Sequence, residues 1–287
     1  MKRKILENCP ISGFADEIHF SFSRQLETLT RLGISWLELR CADGIGIADM
    51  TIPQAREYKK MLDARGIRVS AIGSPIGKIG INQAFEPHME SLAHIADLAD
   101  IMECRNVRIF SFYIPMGQEP ESWRGQVLTR MGQMVKLAEK RDLILLHENE
   151  KDIYGDTAAR CRELTEQFEG PHFGCIFDFA NFVQCGQDTR EAYRLLAKSI
   201  SHVHVKDARM ADGSVTVAGE GDGHVPELLG RLAADGFQGF LSLEPHLIDF
   251  AGFSGLEQKA EQKAAGDGAR AFEQAYRALE AILAGTC

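Results

Sequence analysis

At 287 residues, with 45% hydrophobic and 25% charged positions, the chain has the make-up of a folded globular protein and not of a disordered or fibrous one. Lys and Arg number 32 against 41 Asp and Glu, a net charge of −9, which argues against a nucleic-acid partner because phosphate backbones are held by clustered basic residues. The seven cysteines are scattered without a CxxC pair, no stretch approaches the roughly 20 apolar residues of a membrane span, and the basic residues 1–4 lead into Glu7 and polar positions instead of an apolar signal core, so a cytoplasmic protein with reduced thiols is expected.

Strand-length and helix-period segments alternate from end to end. Residues 11–18 (ISGFADEI) precede Phe22, Leu26, Leu29 and Leu32 at helical spacing, with Gly33 as a stop. Residues 34–40 alternate, Leu37 and Leu39 on one face, Trp36, Glu38 and Arg40 on the other. A second helix begins near Pro53 and ends at Gly66, and residues 67–75 form a third strand. The Gly-rich stretch after it, SPIGKIGINQAF, has neither GxxxxGK[ST] nor GxGxxG and is expected as a loop on the active-site side. Helical spacing through Met89, Leu92, Ile95, Leu98 and Ile101 leads to a fourth strand at 106–113 and a helix over 121–141. Four more strands follow, in LLHENE (145–150), CIFDFAN (175–181), HVHVKD (202–207) and SLEPHL (242–247), with helices near 156–169, 188–198 and 225–235 and from 267 onward. Strict alternation through eight units predicts one (β/α)8 TIM-barrel domain over 1–287; the alternative, a doubly wound open sheet, lacks its nucleotide fingerprint.

Each of the last four strands runs into a ligand-type side chain, giving Glu148, Asp178, His204 and Glu244 about one βα unit apart. Functional groups of a barrel gather at the C-terminal strand ends. Alternation turns His202, His204 and Lys206 inward with Val203 and Val205 outward, Asp178 inward between Phe177 and Phe179, and Glu244 and His246 inward beyond Leu243. Three carboxylates brought that close resist ionisation unless a cation neutralises them, so the four residues are expected to share one divalent metal. Oxygen-rich ligation with one imidazole suits Mn2+ first, with Mg2+, Co2+ or Zn2+ as alternatives. One such residue alone is usually a solvated or salt-bridged strand end; four in successive units are what single these out. His147, His202 and His246 stand between supporting the ligands, facing a substrate, and purely structural roles.

These stretches, with FADEI, ELR and the GEGDG run at 219–223, resemble the xylose isomerase-like TIM-barrel superfamily in its sugar phosphate isomerase/epimerase branch, over nearly the whole chain. The resemblance implies one divalent metal on Glu148, Asp178, His204 and Glu244, and a metal-dependent isomerase or epimerase of a sugar or polyol ketone. In the implied chemistry the metal chelates a carbonyl and its neighbouring hydroxyl, and Glu148 and Glu244 exchange protons with the adjacent carbon as general base and acid through an enediolate. Substrate contacts are expected from Lys206, Asn181, His202 and Arg209. The pattern of ketose epimerases is departed from at Asn181, where a His is common, at Tyr154, where an acid is common, and at Met210, where an Arg is common. The fold also accommodates an inosose-type dehydratase, a non-catalytic sugar-binding barrel, and an abasic-site endonuclease, which the acidic balance disfavours. Families of this kind form homo-oligomers. Residues 247–268, with Phe250, Phe253 and Leu256, are expected as a lid, a subunit contact or an inward-tucked surface loop.

Overall fold

The computed structural model describes residues 6–248 and 267–285. Eight parallel strands form a nearly closed barrel: β1 Ile11–Gly13, β2 Trp36–Leu39, β3 Arg68–Ile72, β4 Asn106–Ile109, β5 Ile144–Glu148, β6 Phe173–Asp178, β7 Ile200–Val205 and β8 Phe240–Leu243. The hydrogen-bonded order is β1-β8-β7-β6-β5-β4-β3-β2, and β1 lies against β2 to bring the sheet round. Nine α-helices occur among the described residues: α1 Phe22–Leu32, α2 Ile52–Asp63, α3 Glu86–Ile101, α4 Arg124–Lys140, α5 Ala158–Gln167, α6 Phe179–Gln184, α7 Thr189–Leu196, α8 Val225–Ala234 and α9 Gly268–Leu283. None is long and apolar enough to cross a membrane.

Local chemistry explains the boundaries. Gly33 ends α1 in the left-handed region at φ 73°, its N–H bonding Leu29 and Thr30 carbonyls. Thr51 and Gln54 form a capping box that starts α2, with Pro53 in the first turn. Outward side chains of the strands, such as Leu37, Leu39, Leu145, Phe177, Val203 and Leu243, pack with Leu26, Leu29, Ile95, Met131 and Leu228 of the helices in one buried core. Each contributes about 1.5–3 kcal/mol by leaving water. That shell holds the strands in register while their inward side chains carry the polar groups.

Several strands are shorter than the sequence suggests, the third among them, which ends at Ile72. The first stops at Gly13, because Ala15–Glu17 is a 3-10 turn. The fourth stops at Ile109, and the chain then turns through Phe112 at φ 70°. The sixth stops at Asp178, where the short helix α6, absent from the sequence reading, begins; Phe179 and Ala180 are therefore helical and not strand residues. Residues 249–266, and with them Phe250, Phe253 and Leu256, lie outside the described residues.

Candidate metal centre

Parallel register sets the heights of the site residues. Asp178 is level with His204, His204 with Ser242, and Glu148 with Ile176. Tilted strands turn this stagger into a ring at the C-terminal end of the barrel. One ligand atom from each of Glu148, Asp178, His204 and Glu244 lies within 4.8 Å of all the others, and all four residues are buried. His204 Nδ1 sits 2.9 Å from Glu148 Oε1, 3.5 Å from Glu244 Oε2 and 3.9 Å from Asp178 Oδ2.

Hydrogen bonding indicates what the ring fits. Asp178 Oδ1 is occupied, capping α6 by accepting the Asn181 N–H at 2.8 Å, while Asp178 Oδ2 and Glu148 Oε2 are buried without a hydrogen-bond partner. Each faces a cationic side chain instead, Lys206 Nζ at 3.0 Å from Asp178 Oδ2 and Arg108 Nη1 at 3.3 Å from Glu148 Oε2, which marks both as oxygens that a positive charge suits. Asn149 fixes the position of Asp178 through two backbone bonds, accepting its N–H and donating to its carbonyl, each at 3.0 Å. The far side of the imidazole is also fixed: His204 Nε2 lies 3.3 Å from Glu38, which pairs with His202 Nε2 at 2.9 Å. A carboxylate behind the ring orients a metal-binding histidine and sets its tautomer. Three carboxylates and one imidazole fit a hard divalent ion, and no described cysteine joins the cluster.

The charges of the protein alone are unevenly settled. Burial alone would raise Glu148 and Glu244, yet His204 and Arg108 hold Glu148 below the usual carboxylate range, and Lys206 and His246 hold Glu244 well below it. Asp178 is pushed up to about 7, since burial outweighs the attraction of Lys206 and both glutamates repel its charge. Burial would lower His204, but Glu148 and Glu38 hold it well above its usual value. The carboxylates thus borrow positive charge from every neighbour that offers it.

The profile of the xylose isomerase-like TIM-barrel family matches residues 26–276. The chain belongs to that family. It is 22% identical over 134 residues to a 3-dehydroshikimate dehydratase from Bacillus anthracis, a match spanning 47% of this chain and about half, 48%, of that protein. A D-tagatose 3-epimerase-like protein superposes with a TM-score of 0.71 at 17% identity, over 95% of this chain and 98% of that one. A xylose isomerase-like barrel from Mycobacterium smegmatis, in complex with magnesium, superposes at 0.68 with 16% identity, over 99% and 100% of the two chains. At these identities the structural likeness is one of fold.

Within this family barrel a small cavity opens beside the ring, lined by Arg40, Lys78, Arg108, Asn181, Lys206 and His246 together with Glu148, Glu150 and Glu244. Its free space is about 10 Å³, roughly that of one water or ion. Of the four expected substrate contacts, Lys206 and Asn181 line it. Lys206 bridges Asp178 Oδ2 and Glu244 Oε2 at 3.0 Å each. Asn181 Nδ2 lies 3.4 Å from Glu148 Oε1. The other two are placed elsewhere: His202 is one layer down against Glu38, and Arg209 is exposed in the turn that joins it to Ser214. Tyr154 is buried on Glu163 at 2.5 Å, and Met210 is 44% exposed, so neither position reaches the cavity. His147 Nε2 pairs with Ser111 Oγ at 3.0 Å and steadies the loop after β4.

Sequence reasoning missed the first half of the site. Arg40 grips Asp16 through Nε at 2.8 Å and reaches Glu244 Oε1 at 3.0 Å through Nη1, while Arg108 stands 3.3 Å from Glu148 Oε2. Glu17, pushed up to about 8 by burial against the pull of Arg40, accepts the His246 N–H at 2.7 Å. A signal existed: Glu38, Arg40 and Arg108 fall on the inward face of alternating strands, where a charge needs a partner.

Proposed function

We propose that this protein is a divalent-metal-dependent enzyme that removes a proton beside the carbonyl of a sugar or polyol ketone, returning it as an isomerase or epimerase does. The observation that carries the reading is the convergence of four buried ligand-type residues, one ligand atom of each within 4.8 Å of the others, with one oxygen of Glu148 and one of Asp178 lacking a hydrogen bond. A divalent ion held by Glu148, Asp178, His204 and Glu244, Mn2+ being the first candidate, supplies Lewis-acid polarisation of the substrate carbonyl.

The side chains divide the remaining work. Glu148 keeps Oε2 without a hydrogen bond, facing Arg108 at 3.3 Å, and is the general base; Asn181, 3.4 Å from its other oxygen, orients it. Both Glu244 oxygens are engaged, Oε1 by Arg40 and Oε2 by Lys206, so this carboxylate is held in place and exchanges a proton only when those cations shift. Arg108, 3.3 Å from Glu148 and 3.6 Å from Glu244, lies where negative charge on substrate oxygens would be balanced.

A second reading, dehydration, shares the first proton abstraction and is favoured by the likeness to the 3-dehydroshikimate dehydratase and by Lys206, an ammonium positioned to donate to a departing oxygen. One experiment separates them. Metal-loaded protein is incubated in D2O with free and phosphorylated ketoses, inositol ketones, hydroxypyruvate and 3-dehydroshikimate, and products are followed by NMR. Deuterium at the carbon beside the carbonyl with changed stereochemistry or carbonyl position supports isomerisation; loss of water supports dehydration. An isomerised or epimerised product that carries no deuterium overturns the first reading, and full turnover after chelation overturns the shared chemistry.

A further inference from the structure

Lys206 stands in an unusual position for a substrate contact. Its side chain is 4% exposed, and Nζ is 3.0 Å from Asp178 Oδ2 and 3.0 Å from Glu244 Oε2. Both residues belong to the four-residue ring of ligands. The contact to Asp178 Oδ2 is an ion pair without hydrogen-bond alignment, since that oxygen has no hydrogen-bond partner. An ammonium bridging two metal-binding carboxylates does what a metal does there: it neutralises like charges that burial would otherwise hold apart.

We propose that Lys206 and the divalent ion compete for Asp178 and Glu244, the ammonium giving up its bridge between the two carboxylates as the ion binds. Metal bonds to carboxylate oxygens are about 2.0–2.2 Å long. An ion bonded to both carboxylates therefore either overlaps an ammonium 3.0 Å from each or faces it at close range as a second cation. In either case the two cations compete for the same oxygens, and on this proposal the ammonium yields. The released ammonium stays on the cavity wall, which it already lines beside Asn181 and Arg108, and there becomes a donor to a substrate oxygen. The order of events follows: metal enters first, and only then is Lys206 free to bind substrate. Two further effects are coupled to this exchange. Lys206 lowers the apparent metal affinity, because the ion must displace it, and it offsets the repulsion between Asp178 and Glu244.

The inference rests on the metal reading of the site but not on which reaction follows. Mn2+ binding to wild-type, Lys206→Met and Lys206→Gln proteins is measured by the loss of the free-ion EPR signal, with melting temperatures taken with and without Mn2+. The expected result is at least tenfold tighter Mn2+ binding in both variants, a lower melting temperature than wild type without metal, and a larger rise when Mn2+ is added. Should either variant be unfolded alone, the same titration followed by circular dichroism is expected to show Mn2+ restoring the helical signal. Tight Mn2+ binding with equal or weaker affinity in the folded variants overturns the exchange while leaving the metal centre standing. No Mn2+ binding by any of the three proteins overturns both.

Discussion

At the residue scale, the site assigns different tasks to groups that look equivalent in sequence. Glu148 and Glu244 both end strands of similar pattern, yet Glu148 keeps one oxygen without a hydrogen bond and Glu244 keeps none. A carboxylate acting as a general base contributes about 10²–10⁴-fold to rate. Glu148→Gln is therefore expected to lower kcat by at least about 10²-fold on a processed substrate; kcat within a few-fold of wild type would remove Glu148 from proton transfer. Glu38 is assigned to the back of the His204 ring, 3.3 Å from Nε2 and away from Nδ1. Partners of this kind typically change metal affinity by about 10–100-fold. Glu38→Gln should weaken Mn2+ binding by that factor in a direct titration, with the four ligands intact; an unchanged affinity would reduce Glu38 to a filler of the barrel interior.

At the element scale, two loops on the active-site end have their own chemistry. The segment after β7 folds around the carboxylate of Asp207, whose Oδ2 accepts the N–H groups of Gly219 at 2.9 Å and Gly221 at 3.1 Å, and whose Oδ1 accepts that of Gly223 at 2.9 Å. The GEGDG spacing is thus a matter of room: a Cβ on Gly221 would stand 2.4 Å from Asp207 Oδ1 and 2.5 Å from the Ala208 carbonyl oxygen. Gly221→Ala is expected to cost about 1–3 kcal/mol in denaturant unfolding, and no loss would mean that the loop is not held by the carboxylate. The loop after β3 is tied differently, by the Gly77 N–H donating to His88 Nε2 at 2.7 Å. Burial first, then Arg130, pushes the His88 pKa down to about 4. The folded value lies below the unfolded one, so the unfolded chain binds the extra proton, and this contribution is present above about pH 6.5 and fades as pH falls toward 4. The ring is partly exposed, and hydration screens the effect to about 1 kcal/mol. Unfolding free energies of wild type minus His88→Gln should shrink over that window; a pH-independent difference would show that His88 titrates normally in the fold.

At the scale of the whole molecule, the barrel and the ring of Glu148, Asp178, His204 and Glu244 were legible in sequence because both rest on period. Alternation of two sets which side chains face inward, and one carboxylate or histidine per βα unit then falls at one end of the barrel by topology alone. Less legible were features set by partners distant in the chain. Arg40 and Glu244 are 204 positions apart, and Lys206 bridges carboxylates at the ends of the two strands that flank its own, pairings that no local pattern specifies. The strand ends at Gly13, Ile109 and Asp178 were also misjudged, since a 3-10 turn, a left-handed Phe112 and a six-residue helix capped by Asp178 itself override the apolar runs that suggested longer strands. A ring assembled from four strands has a consequence for the entire fold: an ion bound there links β5, β6, β7 and the end of β8, and it binds only when all four are in place. Ligand binding to the native state alone stabilises it by about 2.7 kcal/mol at a hundredfold excess over Kd and about 1.4 kcal/mol more for each further tenfold. For a domain of this size 1 kcal/mol moves Tm by about 2–4 °C. Adding Mn2+ at a hundredfold excess over its Kd to chelator-treated protein is therefore expected to raise Tm by about 5–10 °C, and Asp178→Asn should abolish most of that rise. A wild-type Tm indifferent to Mn2+ and to chelator would mean that the ring does not close on an ion, whatever its geometry allows.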